Sequence, residues 1–159
     1  MSGNGIDRAN LGHIELIMEL EESGFDPRDQ WSQSSWTSEL LAGDRIVLVA
    51  PAGDGTVMGA ITVQVVGDTA DLHRVVVDAG HRRRAVASDL VAAAIERARE
   101  RGARQLLLEV RTDNHAAIAL YSALGFTEIS RRGNYYGQGV DAIVMRKDLA
   151  DHGSGGRDE

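Results

Sequence analysis

"HRRRAVASDLVAAAIERA", residues 81–98, combines features that can hold an anion. It follows the apolar run Val75, Val76 and Val77, opens with three arginines, and runs into a helix-forming segment. The first turn of a helix offers unpaired main-chain N–H groups and the positive end of the helix dipole, so a phosphate suits it. Loops of this kind usually carry glycine where the backbone meets the phosphate, because a Cβ has no room there. Ala85 and Ala87 stand at those places. Alanine keeps the N–H donor and adds a methyl group, so the exchange raises a steric question and leaves the donors intact. If these positions already form the first helical turn, alanine favours them. Neither a Walker A loop nor a dinucleotide-binding glycine pattern is present. The plain structural reading is an exposed basic turn before an ordinary helix, and this stretch alone favours it.

Other chemistries are excluded by what the chain lacks. It has no cysteine, which removes disulfides, thiol nucleophiles, Cys-x-x-Cys redox motifs and thiolate zinc sites. His13, His73, His81, His115 and His152 show no metal-ligand spacing, so no metal is expected. The formal net charge of -7 argues against nucleic acid and fits a cationic partner. The longest apolar run, "LVAAAI" at 90–95, is too short to span a bilayer. "MSGNGIDRAN" lacks the regions of a secretory leader, so a cytoplasmic protein without membrane contact is expected.

The elements that must position the anion loop follow from periodicity. The 159 residues suit one domain, expected over residues 1–150, with the small, charged tail at 151–159 disordered. Leu11, Ile14, Ile17, Met18 and Leu20 recur at helical spacing before Gly24, and Trp36 and Leu40 share a face of a second helix before Gly43. Strands are predicted over 45–50, 57–66 and 71–77, forming an antiparallel meander. A helix from about Ser88 to Arg101, capped by Gly102, precedes the apolar run "RQLLLEV" at 104–110. Such a run predicts a strand covered on both faces. "TDN" at 112–114 offers N-caps for a short helix ended by Gly125, and "FTEISR" and "DAIVMRKD" predict two final strands. The fold class is therefore α/β with a mixed, mostly antiparallel sheet flanked by helices, and a strand-helix-strand unit at its centre.

The segment "LLLEVRTDNHAAIALYSALGF" at 106–126 is more specific. Together with the preceding loop it resembles the GNAT superfamily of N-acetyltransferases. With "RRGNYY" at 131–136 and "DAIVM" at 141–145, it is similar to the branch that acetylates ribosomal-protein alanines. "WSQSSW" at 31–36 resembles that branch's Trp-Ser segment, with Gln30 where proline is often found. The family's phosphate loop reads Gln/Arg-x-x-Gly-x-Gly/Ala. "RRRAVA" matches it at Arg82 and Ala87 and departs from it at Ala85, as does Ser88 in place of a common basic residue.

The resemblance implies acetyl-CoA as co-substrate. Its pyrophosphate would meet the main chain of Arg83, Arg84, Ala85, Val86, Ala87 and Ser88, and its pantetheine arm the edge of Val75, Val76 and Val77 and the side chain of Asn114. The arm would lie alongside like an added strand. The reaction needs a base for the attacking amine, N–H donors for the oxyanion and a proton for the leaving thiolate. The resemblance assigns the base to Glu109 and the acid to Tyr121. Glu109 ends an apolar run, so partial burial is expected to tune it. The resemblance also implies acceptor contacts from Trp31, Tyr135 and Tyr136.

Each residue has a plainer role open to it: Glu109 on a solvated strand rim, Tyr121 at a core edge, Asn114 as an N-cap, Tyr135 and Tyr136 as strand-edge aromatics. Glu109, Asn114 and Tyr121 standing together at the family's spacing favours function. The expected reaction is acetylation of a protein N-terminus, with a ribosomal small-subunit protein beginning in alanine as the family's substrate. Two alternatives stay open: a small-molecule amine as acceptor, and a non-catalytic acetyl-CoA-binding or interaction module, since fold does not decide substrate.

Overall fold

A computed structural model describes residues 5–78, 84–133, 135 and 139–149, with the side chain of residue 84 left aside. From residue 11 onward the elements come in the order expected, and a two-residue strand not expected from the sequence precedes them. Helix α1 (Ile14–Gly24) and helix α2 (Gln33–Leu41) lie between the two-residue strand β1 (Asp7–Arg8) and strand β2 (Arg45–Pro51). Strands β3 (Val57–Val66) and β4 (Thr69–Val77) follow, then helix α3 (Arg84–Glu100), strand β5 (Gln105–Arg111), helix α4 (His115–Ala123), and strands β6 (Thr127–Arg132) and β7 (Ala142–Asp148). The strands form one seven-stranded sheet in the order β1-β2-β3-β4-β5-β7-β6. Most recorded pairings are antiparallel. The exception is β4 with β5, which are parallel from Thr69↔Gln105 to Asp71↔Leu107. The predicted tail at 151–159 and the residues at 79–83 lie outside the described residues.

The chain forms two compact units. The first holds residues 5–64 and 73–97 of the described chain. Its start is set by Asn10, whose side chain accepts from Gly12 N–H while His13 Nδ1 accepts from Asn10 N–H. That closed box opens the turn leading into α1. Ile17 and Leu20 of α1 pack with Trp36 of α2 and with Val47, Val49, Ala60 and Val76 of the sheet. Ser32 caps α2 by accepting from Ser35 N–H at 3.1 Å. Beneath α2, buried Glu39 accepts from Thr62 Oγ1 at 2.7 Å and Arg45 Nε at 2.8 Å. Helix α2 stops at Leu41, before Gly43, with Ala42 as its extended C-cap.

The second unit holds residues 65–72 and the described residues from 98 onward. Gly102, at φ 95, ends α3 in the left-handed conformation that glycine adopts without strain. Strand β5 buries Leu106, Leu108 and Val110 and leaves Leu107 half-buried and Glu109 partly exposed. One face of the strand is therefore fully covered, where the apolar run predicted two. Leu120, Tyr121, Phe126, Ile143 and Met145 are buried in the same unit. Strand β6 is exposed at every position and pairs with β7.

Candidate functional site

In the first unit, the end of β4 and the start of α3 form one anion-binding candidate. Helix α3 begins at Arg84, four residues earlier than the periodicity predicted. Ala85, Val86, Ala87 and Ser88 are thus helical residues, and the alanines stand where a good helix former extends the first turn. Ala85 is exposed and Ala87 buried. Arg83 lies outside the described residues, so its expected contact has no geometry here.

The close seat of that first turn depends on Gly59 of β3, which the sequence reading passed over. A Cβ on Gly59 would lie 2.9 Å from Leu90 Cδ1, 3.0 Å from the Val76 carbonyl oxygen and 3.3 Å from Val86 Cγ1. Only a residue without a side chain lets α3 approach β3 this closely. On β4, Val76 is buried while Val75 and Val77 are half-buried. The β4–β5 ladder covers only Thr69–Asp71, so the main chain of Val75–Val77 takes no part in it. The neighbouring Asp78 N–H donates to the Met58 carbonyl at 2.8 Å and fixes this end of the strand to β3. A strand end outside a ladder and a helix start seated on a glycine suit a ligand with an extended amide arm and a pyrophosphate. Trp31 belongs to the same unit, half-buried and tilted against Trp36 with ring centroids 5.3 Å apart.

The second unit holds the remaining candidates. Asn114 caps α4, its Oδ1 accepting from Ala117 N–H at 3.1 Å. The plainer role is thus real, yet the cap uses only the oxygen, and the amide donors remain for a ligand. Tyr121 is 6% exposed and packs edge-on to Phe126, with centroids 5.6 Å apart. Burial pushes its phenol up to about 12. The hydroxyl therefore keeps its proton throughout the ordinary working range, as a donor must.

The Glu109 side chain is partly buried on β5, as the apolar run suggested, with 29% of it exposed, and Arg132 Nη2 lies 3.1 Å from its Oε2. The sheet register explains the contact. Glu109 stands opposite Val144, and Ala142, two residues back on β7, stands opposite Arg132 of β6. Residues two apart on a strand share a face, and the small Ala142 leaves room for the long arginine to lie across β7. Arg132 also lies over the Tyr135 ring, 5.1 Å from its centroid. Glu109, Arg132 and Tyr135 are therefore brought together, and Tyr135 is exposed. Arg132 was missed by sequence reasoning, since its partner lies 23 residues away on another strand. Tyr136 lies outside the described residues. Among the described residues no group of three or more His, Asp or Glu side chains is placed to hold a metal ion. No helix among them is long and apolar enough to cross a membrane.

The family model for acetyltransferases of the GNAT type matches residues 13–126. The chain is 33% identical over 138 residues to the N-alpha-acetyltransferase RimI of Mycobacterium tuberculosis, covering 84% of this chain and 85% of that protein. It is 37% identical over 119 residues to the [ribosomal protein bS18]-alanine N-acetyltransferase of Escherichia coli K12, covering 72% and 78%. The crystal structure of the ribosomal-protein-S18-alanine N-acetyltransferase from Escherichia coli superposes with a TM-score of 0.82 at 29% identity, covering 92% of this chain and 94% of that one.

Proposed function

Because the chain belongs to the GNAT acetyltransferase family, we propose that it moves the acetyl group of acetyl-CoA to the α-amino group of a protein N-terminus. The acceptor is an N-terminal alanine of a ribosomal small-subunit protein, the cationic partner that the net charge of -7 favours. The observation that carries the cofactor half is the first turn of α3 seated over Gly59 beside a β4 end whose main chain lies outside the β4–β5 ladder. The acceptor half is supported by relatives named for that transfer.

Acetyl-CoA supplies an activated acyl thioester. The main chain of Val75–Val77 orients its amide arm, and the N–H groups at the start of α3 meet its pyrophosphate. Asn114 adds a donor from its amide. Glu109 accepts the proton that the attacking amine must lose, directly or through one water. Tyr121 donates toward the sulfur as the thioester bond breaks. Trp31, Tyr135 and Tyr136 contact the acceptor. On this reading residues 1–150 act as one catalytic domain, since the matched family segment runs through both compact units. The cytoplasm, where ribosomal proteins are made, is its place of work.

The test is mass spectrometry of intact ribosomal proteins after incubation with the protein and acetyl-CoA. One acetyl group on the N-terminal alanine of a small-subunit protein is expected. Acetylation of small amines with all ribosomal proteins untouched moves the reading to a small-molecule acceptor. Acetyl-CoA binding with no turnover on any acceptor makes the chain a binding module.

A further inference from the structure

Glu21 and Arg74 have no part in the site as described, yet among the described residues they form a heavily bonded charge pair of the first unit. Glu21, in α1, is 0% exposed. A carboxylate removed from water is tolerated only when its oxygens are met by donors. Glu21 Oε1 accepts from the Trp31 main-chain N–H at 3.0 Å and from Arg74 Nη2 at 2.7 Å. Its Oε2 accepts from Trp36 Nε1 at 2.8 Å and from Arg74 Nε at 3.0 Å. Arg74 Nη2 donates again to the Asp29 carbonyl at 2.8 Å. The guanidinium lies 3.7 Å from the centroid of the Phe25 ring and 5.3 Å from that of Trp31.

These contacts converge on the connection between α1 and α2. It contains one short 3-10 turn, Pro27–Asp29, and residues 26–29 are exposed. Burial of residues 26–29 therefore cannot hold that stretch in one form, although Phe25 and Trp31 at its ends pack against the core and Gln30 Nε2 donates to the Phe25 carbonyl at 2.9 Å. The Glu21–Arg74 pair fixes it at Phe25, at the Asp29 carbonyl and at the Trp31 N–H. A buried ion pair is a poor source of net stability compared with apolar packing, but it is strongly directional.

We propose that Glu21 and Arg74 are positioning residues for the acceptor: the pair holds residues 25–31 so that Trp31 meets the incoming N-terminal residue. This rests on the reading of Trp31 as an acceptor contact. Arg74 sits on β4 immediately before Val75–Val77, so the strand that offers the cofactor edge also carries the cation that shapes the acceptor segment.

The test uses the full-length protein and the variants Arg74→Met and Arg74→Lys. Five quantities are measured: KM and kcat for a peptide beginning with alanine, acetyl-CoA affinity, the melting temperature, and the near-ultraviolet circular dichroism. The chain has two tryptophans, Trp31 and Trp36, so that last signal reads the cluster without any turnover. Arg74→Met should raise the peptide KM at least about tenfold, as loss of hydrogen bonds to a charged group implies. Its kcat and acetyl-CoA affinity should stay within about twofold, with a weakened tryptophan signal. Arg74→Lys keeps the charge and loses the planar fork, so it should recover part of the KM. It also serves if the methionine variant does not fold. A KM indifferent to both folded variants overturns the proposal, as does a joint fall of melting temperature, kcat and acetyl-CoA affinity. A parent protein that acetylates no peptide overturns the acceptor reading and this proposal with it. A parent active on peptide but insensitive to Arg74 overturns this proposal alone.

Discussion

Tyr121→Phe removes one oxygen and separates packing from catalysis. The ring is buried against Phe126, and phenylalanine keeps that contact. Among the described residues the hydroxyl makes no hydrogen bond. A buried hydroxyl without a partner costs about 1–3 kcal/mol, so the substitution should leave the melting temperature unchanged or raise it. Activity should move the other way. With the phenol at about 12 and a thiol near 8.5, full proton transfer to the leaving sulfur is uphill by about 3.5 pKa units, or about 5 kcal/mol. On the proposed reading Tyr121 would then work chiefly as a hydrogen-bond donor in a dry site, where such a bond is strong. Its loss should slow turnover about a hundredfold to ten-thousandfold, which is about 3–5 kcal/mol of barrier. The assay is single-turnover release of coenzyme A, which isolates chemistry from product release. An unchanged chemical step refutes the assignment and returns Tyr121 to packing alone.

The same burial has an alkaline consequence. The phenol titrates near 10.0 when unfolded and near 12 when folded. Its contribution to stability is complete below pH ~10 and is lost as the pH rises to ~12, about 3 kcal/mol in all. Denaturation curves of parent and Tyr121→Phe, compared from pH 9 upward, should therefore diverge, with the variant losing less. Parallel curves would mean that the hydroxyl is hydrated in the folded state.

Three other substitutions test the site. Glu109→Gln should cut turnover strongly with acetyl-CoA affinity intact. Its pair with Arg132 is partly solvent-exposed, worth about 0–1 kcal/mol, so the fold should not suffer; full activity would remove Glu109 from the mechanism. Ala85→Gly should change acetyl-CoA affinity by less than about fivefold, because the residue is helical and the exchange costs a helix at most about 1 kcal/mol. A tightening beyond about tenfold, read by calorimetry, would mean that the bound loop takes positive φ there. Asn114→Asp keeps the capping oxygen and loses the amide donors. Acetyl-CoA binding should weaken with the melting temperature held, whereas unchanged binding would leave Asn114 as a cap only.

Periodicity and turn chemistry carried most of the fold. The predicted strands at 57–66 and 71–77 fall within one or two residues of β3 and β4, because Gly67 and Asp68 mark the turn between them. Helix α3 starts earlier than the periodicity predicts because Ala85 and Ala87 extend it into the stretch where the family pattern has its glycine loop. The apolar run of β5 identifies a strand, but composition does not say which face is covered, and Glu109 lies on the less covered face. Candidate residues within one strand-turn-helix segment were legible; partners brought in by register or tertiary packing were not. Arg132 reaches Glu109 only because β6 and β5 flank β7, and Arg74 reaches Glu21 across 53 residues of chain. One signal was available for Glu21. It stands four residues after Ile17 and seven after Ile14, on the apolar stripe of α1, where a carboxylate must find a donor.

The two residues assigned to proton transfer lie in opposite surroundings, and the difference matches their tasks. Glu109 is partly accessible on β5, with 29% of its side chain exposed, and Tyr121 is only 6% exposed on α4, within the same unit. An α-amino group arrives mostly as a cation at neutral pH. A buried carboxylate would require both charges to shed water before they met, at a cost of several kcal/mol. A partly exposed one can receive the cation from solvent, and here it already holds one, the guanidinium of Arg132. The acceptor ammonium can therefore displace Arg132 cation for cation, with little change in the charge around Glu109. The freed guanidinium stays beside Tyr135, which the acceptor reading also uses. The leaving sulfur needs the reverse, a donor whose proton no solvent competes for, and burial of Tyr121 supplies it. On the proposed reading, one strand-turn-helix segment sets a partly hydrated base and a buried donor twelve residues apart. The partial exposure of Glu109 is the setting its proposed role requires.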